Sequence, residues 1–444
     1  MRKTMKNCIR LAVILIVGAS LAACSNLGKK STSKSNQDAT TTLRFWWWGN
    51  DDRNQATLKM IKNFEAENPT IKVKGEYVGF GSLEEKVTTM LAGGEQTTPD
   101  IIQLDRNQVA RFSTDGKGFY DLSKIKSLDL SGYDKEFLKL GEFAGVQNGI
   151  PLGKNVVAVL FNKTAFEKNG VAIPKTWDDL KEAAKKFPDG SFPLAVPQPH
   201  LATGIYLQQK TGKTEFDDKG NMNYSKADYK EAIAWYMDMV NVGAFNSRKD
   251  YLENVGSEPA SLANTTKFIK GEYAGVLEWT GGVMANEQSL KETGQELLVA
   301  DMLKNPDAKG TYSIAKATFL FSISQFEKNP EAAGEFLNDF LNGSKANEIL
   351  GVSRGVPASK KAAEVLVEKN AIQGAVKEAY DYSQNVDVLN ETIFFEDSAI
   401  QSILGDVLES IELKGMSVDE GADTLYNGIK GKLEHLKKTY NLGK

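Results

Sequence analysis

The sequence has 444 residues, of which 41% are hydrophobic, 9% aromatic and 25% charged. That is globular composition, and it excludes a collagen, a coiled coil and wholesale disorder. The length exceeds what one core holds, so two domains are expected. The 54 basic and 58 acidic residues leave a net charge of -4, without the basic footprint of a nucleic-acid binder.

Arg2, Lys3, Lys6 and Arg10 form a positive N-terminal region, and Leu11 to Val17 form an apolar run. The run is far shorter than the ~20 residues that span a bilayer, and small residues follow it, as in an export signal. Leu21-Ala22-Ala23-Cys24 resembles the bacterial lipobox, whose cysteine is lipidated and becomes the first residue of the mature chain. Processing after residue 23 leaves 50 basic against 58 acidic residues, a net charge of -8. Cys8 and Cys24 are the only cysteines, so neither a disulfide-built domain nor a cysteine-ligated zinc site is available. Residues 24–41 then read as lipidated cysteine plus a polar, flexible tether.

In chain order, Leu43 to Trp48 has strand propensity, and a helix is predicted from Asp52 to the Asn68-Pro69 stop. Ile71 to Val78 alternates as a strand, Leu83 to Ala92 is helical, and Ile101 to Leu104 is a short buried strand. This is a parallel α/β unit, whose ligand edge lies beyond the C-terminal ends of its strands. Trp47 to Arg53 and Gln103 to Arg106 are therefore expected to line a cleft. Further helices are predicted after Trp177, Lys226, Pro330, Ala358 and Val418, with Gln198, His200 and Tyr206 in a Pro-rich loop.

Several stretches together resemble the extracellular solute-binding proteins of bacterial carbohydrate ABC importers, the maltodextrin-binding group in particular. They include Phe64-Glu65-Ala66-Glu67-Asn68-Pro69, Leu91-Ala92-Gly93-Gly94 with Pro99-Asp100-Ile101-Ile102, and Asn148-Gly149-Ile150-Pro151-Leu152-Gly153. Leu160-Phe161-Asn162-Lys163, Pro174-Lys175-Thr176-Trp177, Phe268 to Gly271 with Ala274-Gly275-Val276 and Trp279, Lys328 to Leu337, and Gly351 to Pro357 continue the likeness. Their order spans almost the whole mature chain. The resemblance implies an α/β, two-lobed periplasmic-binding-protein-like fold, each lobe a sheet flanked by helices, with the ligand cleft at the hinge. Lobe one would comprise residues 41–122 plus 297–342, and lobe two residues 123–296 plus 343–444. It also implies a monomer that captures an oligosaccharide without catalysis or cofactor and delivers it to a permease with separate ATPase subunits. The expected location is the outer face of the cell membrane, held by lipid.

Sugars offer apolar C–H faces to flat aromatic rings and hydroxyl rims to planar polar side chains. Either all of Trp46, Trp47 and Trp48 pack internally, or Trp47 or Trp48 reaches the cleft; Trp48, beside the turn, is preferred. The resemblance gives Trp279 a stacking role and Asn155 a polar contact. Asn50 and Arg53 follow the first strand, and Asp105 follows the third as either ligand contact or helix cap. Gln198 and His200 are loop candidates, although a lone histidine such as His200 is more often structural. Arg354 is suited to forking onto a carboxylate or vicinal hydroxyls. A Trp-Trp-Trp-Gly start followed by arginine resembles the members that take up uronic-acid oligosaccharides, with Arg53, Arg106, Lys154, Lys316 and Arg354 as charge partners.

Two other readings compete. A peptide or other small solute suits the same scaffold, and a surface polysaccharide hydrolase or lyase would need paired carboxylates. Gly351-Val352-Ser353-Arg354-Gly355 matches a nucleophile elbow, which requires a strand–turn–helix and a downstream acid and histidine. The one later histidine, His435, lies on a lysine-rich amphipathic helix. Asp217 to Asn221 lacks the alternating ligands of a calcium loop and reads as a turn, so no metal is expected.

Overall fold

A computed structural model describes residues 40–49, 51–78, 83–256 and 261–440. The export segment, Cys24, nearly all of the tether and the candidate ligand residue Asn50 lie outside the described residues. The strands are β1 (Thr41–Trp48), β2 (Ile71–Val78), β3 (Ile101–Leu104), β4 (Glu142–Phe143), β5 (Val146–Gln147) and β6 (Ile150–Pro151). They continue with β7 (Lys154–Asn162), β8 (Gly275–Trp279), β9 (Leu297–Ala300), β10 (Ser313–Ala317), β11 (Leu320–Ile323) and β12 (Val388–Asn390).

Two larger sheets result. The first has the order β2-β1-β3-β11-β6; the second has β12-β10-β7-β8, with β9 also on β7. β1 runs parallel to β2 and β3, whereas β11 is antiparallel to β3 and β6. The segment 297–342 contributes to both sheets, because β9 and β10 pair with β7 while β11 pairs with β3. The helices expected from periodicity form at Trp177–Ala184, Lys226–Asn241, Pro330–Asn342, Lys360–Glu368 and Val418–Thr439.

The chain passes between the two sheets at residues 152–153 and 318–319, with a third segment, 351–358, laid beside them. Backbone bonds tie all three together: Leu152 N–H to Phe319 O (3.0 Å), Thr318 N–H to Gly153 O (2.8 Å) and Ala358 N–H to Leu152 O (2.8 Å). Residues 165 to 206 positions apart are thereby fixed side by side.

Alternation along β1 divides the three tryptophans. Trp47 joins Leu43 and Phe45 in one apolar cluster, and Trp46 joins Ile102 and Leu104 in another, with Trp48 packed at its margin. Trp47 is fully enclosed, between Phe45 (4.9 Å) and Tyr77 (5.3 Å), and its indole N–H donates to Asn54 Oδ1 at 2.9 Å. This corrects the expectation that Trp47 is a ligand contact. Strand alternation turns it into the core, where helix 51–67 covers it. Gly75 on β2 leaves room for that ring, since a Cβ there would lie 2.9 Å from it. The helix predicted from Asp52 begins one residue earlier, at Asp51.

Replacing Asn54 with Ala leaves the buried Trp47 N–H without its acceptor and is expected to cost about 1–3 kcal/mol. Urea unfolding at fixed pH measures it, and an unchanged midpoint would show that the bond contributes nothing net.

Candidate ligand-binding site

The site is assembled from strand ends. β1 terminates at Trp48 and β3 at Leu104, so the residues just beyond them, Arg53, Asp105 and Arg106, lie at one edge of the first sheet. Trp48 is partly exposed and meets Phe319 edge-on at 4.8 Å. The Arg53 guanidinium lies 4.8 Å above Phe319 and 5.4 Å above Trp48. It donates to Ser353 O (3.0 Å) and Trp48 O (3.2 Å). Burial lowers its pKa to about 10, against the pull of the Asp105 charge.

Asp105 takes the capping position of helix Arg106–Phe112, with the Gln108 side chain accepting from its N–H at 3.0 Å. Capping and facing the cations are compatible, since one carboxylate has two oxygens. Arg106 is largely buried and donates to Leu140 O (3.0 Å) and Glu391 O (3.1 Å). Burial lowers its pKa, while the charges of Glu396 and Asp218 oppose the shift.

The second sheet contributes the start of β7, the end of β8 and the end of β10. Asn155 Oδ1 accepts from Thr280 Oγ1 (3.1 Å) and Gly281 N–H (2.9 Å), which fixes the turn after Trp279. Trp279 is partly exposed, and Lys316 Nζ sits 4.7 Å over its ring. Lys316 also pairs with Glu396 at 2.8 Å. Burial disfavours the ammonium, yet the charge and hydrogen bond of Glu396, with Asp105 behind, outweigh burial and raise its pKa. Asp105 thus acts on Arg53 and Lys316, and Glu396 on Lys316 and Arg106. Cations and anions alternate across the ends of both sheets, beside an aromatic face.

His200 and Tyr206 are helical, not in a loop. The Pro-rich entry supplies Pro199 at the first position of helix Pro199–Thr211, where its missing N–H costs nothing. His200 packs against Phe395 at 5.4 Å, and burial together with the Lys316 charge lowers its pKa to about 3, so it is neutral. Gln198 precedes that helix and is partly exposed. Tyr206 instead stacks on Trp235 at 4.5 Å and bonds Glu231. Arg354 is 8% exposed and donates its Nε–H to Gln103 Oε1 at 2.8 Å. Gln103, expected at the cleft, is fully buried and bonds Trp48 O at 3.2 Å.

Sequence reasoning missed Phe395 and Glu396, which belong to the connection between β12 and helix Ser398–Lys414. The adjacent aromatics Phe394-Phe395 beside an acid were the available signal. Also missed was Tyr380, which with Lys154, Ser383 and Asn390 lines a cavity of about 420 Å³. Gly351 to Gly355 follows helix Ser344–Leu350, not a strand, so the context of a nucleophile elbow is not met.

The family model for bacterial extracellular solute-binding proteins matches residues 59–376, well over half of the chain. The chain belongs to the bacterial extracellular solute-binding proteins. A periplasmic solute-binding protein from Pectobacterium atrosepticum is 28% identical, with a TM-score of 0.83 over 89% of this chain and 99% of that one. A periplasmic oligogalacturonide-binding protein from Yersinia enterocolitica, solved with saturated digalacturonic acid, is 30% identical, with a TM-score of 0.80. That match covers 90% of this chain and all of the other. A binding protein of Brucella abortus (strain 2308) is 25% identical over 289 residues, which are 63% of this solute-binding protein and 66% of that relative. The chain thus spans slightly under two thirds of the length of that relative. Among the described residues no helix is long and apolar enough to cross a membrane.

Next to the site, burial raises the Glu215 pKa to about 7, partly offset by a hydrogen bond from Tyr229 at 2.7 Å. A raised carboxyl pKa means the folded state holds the proton that the unfolded state releases. Its contribution is therefore present below about pH 4.5 and lost as pH rises towards 7. The wild-type minus Glu215→Gln stability difference is expected to fall over that interval. Urea unfolding at several pH values checks this, and a pH-independent difference would contradict it.

Proposed function

We propose that this solute-binding protein is the lipid-anchored receptor of an ABC importer and captures an extracellular oligosaccharide containing uronic acid. The carrying observation is the alternation of Arg53, Asp105, Lys316, Glu396 and Arg106 beside the Trp279 ring. An aromatic face suits the apolar side of a sugar, and fixed cations and carboxylates suit its hydroxyls and carboxylates. The likeness to a protein solved with digalacturonic acid supports the acidic sugar. A multiple sugar-binding protein of Streptococcus mutans, 30% identical over 200 residues, supports sugar as the class.

In this reading Trp48, Asn50, Arg53, Asp105, Asn155, Gln198, His200 and Trp279 surround the ligand. The sugar displaces Lys316 from Trp279, and a uronate carboxylate takes its place beside the ammonium. Lobe one is built on the first sheet and lobe two on the second. They close about the three tied segments at residues 152–153, 318–319 and 351–358, in the manner of hinged binding proteins. Cys24 carries the lipid, the tether gives reach, and a permease with separate ATPase subunits receives the ligand from this monomer.

Thermal shift against digalacturonate, neutral oligosaccharides and peptides tests the reading. At ~100 times its Kd a ligand stabilises by roughly 2.7 kcal/mol. Digalacturonate is expected to raise Tm and neutral sugars are not. Trp279→Ala should abolish the digalacturonate rise, and Lys316→Met should reduce it. A shift with peptides alone would overturn the sugar, and product formation in the same wells would overturn binding without catalysis.

A further inference from the structure

A second polar constellation lies beneath the 351–358 segment, and it does not depend on which sugar the cleft takes. Arg354 is enclosed and uses only Nε, on Gln103. Its two terminal nitrogens, Nη1 and Nη2, are buried and have no hydrogen-bond partner among the described residues. The Phe340 ring lies 5.1 Å from the guanidinium carbon, and the charge acting on it is that of Arg53, of the same sign.

Arg354 lines a cavity of about 30 Å³ with Tyr133, Ser353, Phe340 and Leu350. The Tyr133 hydroxyl and Ser353 Oγ are likewise buried without partners. Three side chains able to donate thus converge on one small space, and none of the residues lining it carries a negative charge. An arginine keeps its proton, and a buried cation without a counter-charge is strongly disfavoured. Water can accept from the guanidinium, but it brings no negative charge to offset the buried cation. A space of this size takes one or two species of water's dimensions.

We infer that the Arg354–Tyr133–Ser353 cavity is an anion site that holds a small monoanion, taken from solution as chloride, as the counter-ion of Arg354. Such an anion would lie under the third of the tied segments, with Gly351 and Gly355, both at positive φ, on either side of the arginine. The same donors would accept a carboxylate, and the two sources are separable.

The full chain, exchanged into sodium gluconate, is titrated with sodium chloride while the ³⁵Cl NMR linewidth is followed. Excess broadening is expected for the wild type, its loss in Arg354→Gln, and a weaker excess in Tyr133→Phe, which keeps the ring and removes one donor. Tyr133→Phe carries the test should Arg354→Gln fail to fold, as judged by near-UV circular dichroism. No broadening in the wild type, or unchanged broadening in the folded variants, would overturn the site. Saturating digalacturonate is expected to leave the chloride signal in place. Its disappearance would overturn the free anion and make a ligand carboxylate the occupant.

Discussion

Everything at the site depends on three backbone segments being held edge to edge between the sheets. Leu152, Gly153, Thr318, Phe319 and Ala358 exchange main-chain hydrogen bonds, so their register sets where the adjoining strands begin. β7 starts right after the first segment and β11 right after the second. Asn155 and Lys316 therefore sit opposite each other across the β7–β10 pair, and Phe319 is delivered to Trp48 and Arg53. The contacts of Phe319 with Trp48 and Arg53 and of Lys316 with Trp279 and Glu396 join residues far apart in sequence, and the tied segments make them possible.

Electrostatics then acts on what this scaffold brings together. Arg53, Lys316 and Arg106 are each penalised by burial, and each has an acid that offsets the penalty in whole or part. Charges taken out of water persist when paired. Arg354, a few residues along the third segment, has no such acid among the described residues and stands out against this pattern.

Elements with strong periodicity were legible in the sequence. The helix Leu83–Ala92 and the strands Ile71–Val78 and Ile101–Leu104 form over the predicted residues, since apolar spacing and Gly/Pro punctuation agree there. The run Trp46-Trp47-Trp48 announced an unusual strand end but not which ring is covered, because that depends on helix 51–67 and on Asn54 within it. His200 was misplaced because Pro199 reads as a loop marker, whereas at a helix's first position it is a start signal. Phe395 and Glu396 were missed for a different reason. They reach Lys316 and His200 only through tertiary structure, and the run Phe394-Phe395-Glu396 does not by itself say what it will meet.

The first sheet has a consequence for how the chain becomes a protein. β11 is inserted between β3 and β6, so the sheet that begins at Thr41 stays incomplete until Ile323 is available. Pairings of such long sequence separation carry a heavy loop-closure cost and form slowly. β3 must wait, unpaired on one side, for a partner more than 200 residues away. A chain with this topology is slow to lock itself shut, and its first sheet stays open at one edge for longer than a sheet of neighbouring strands would.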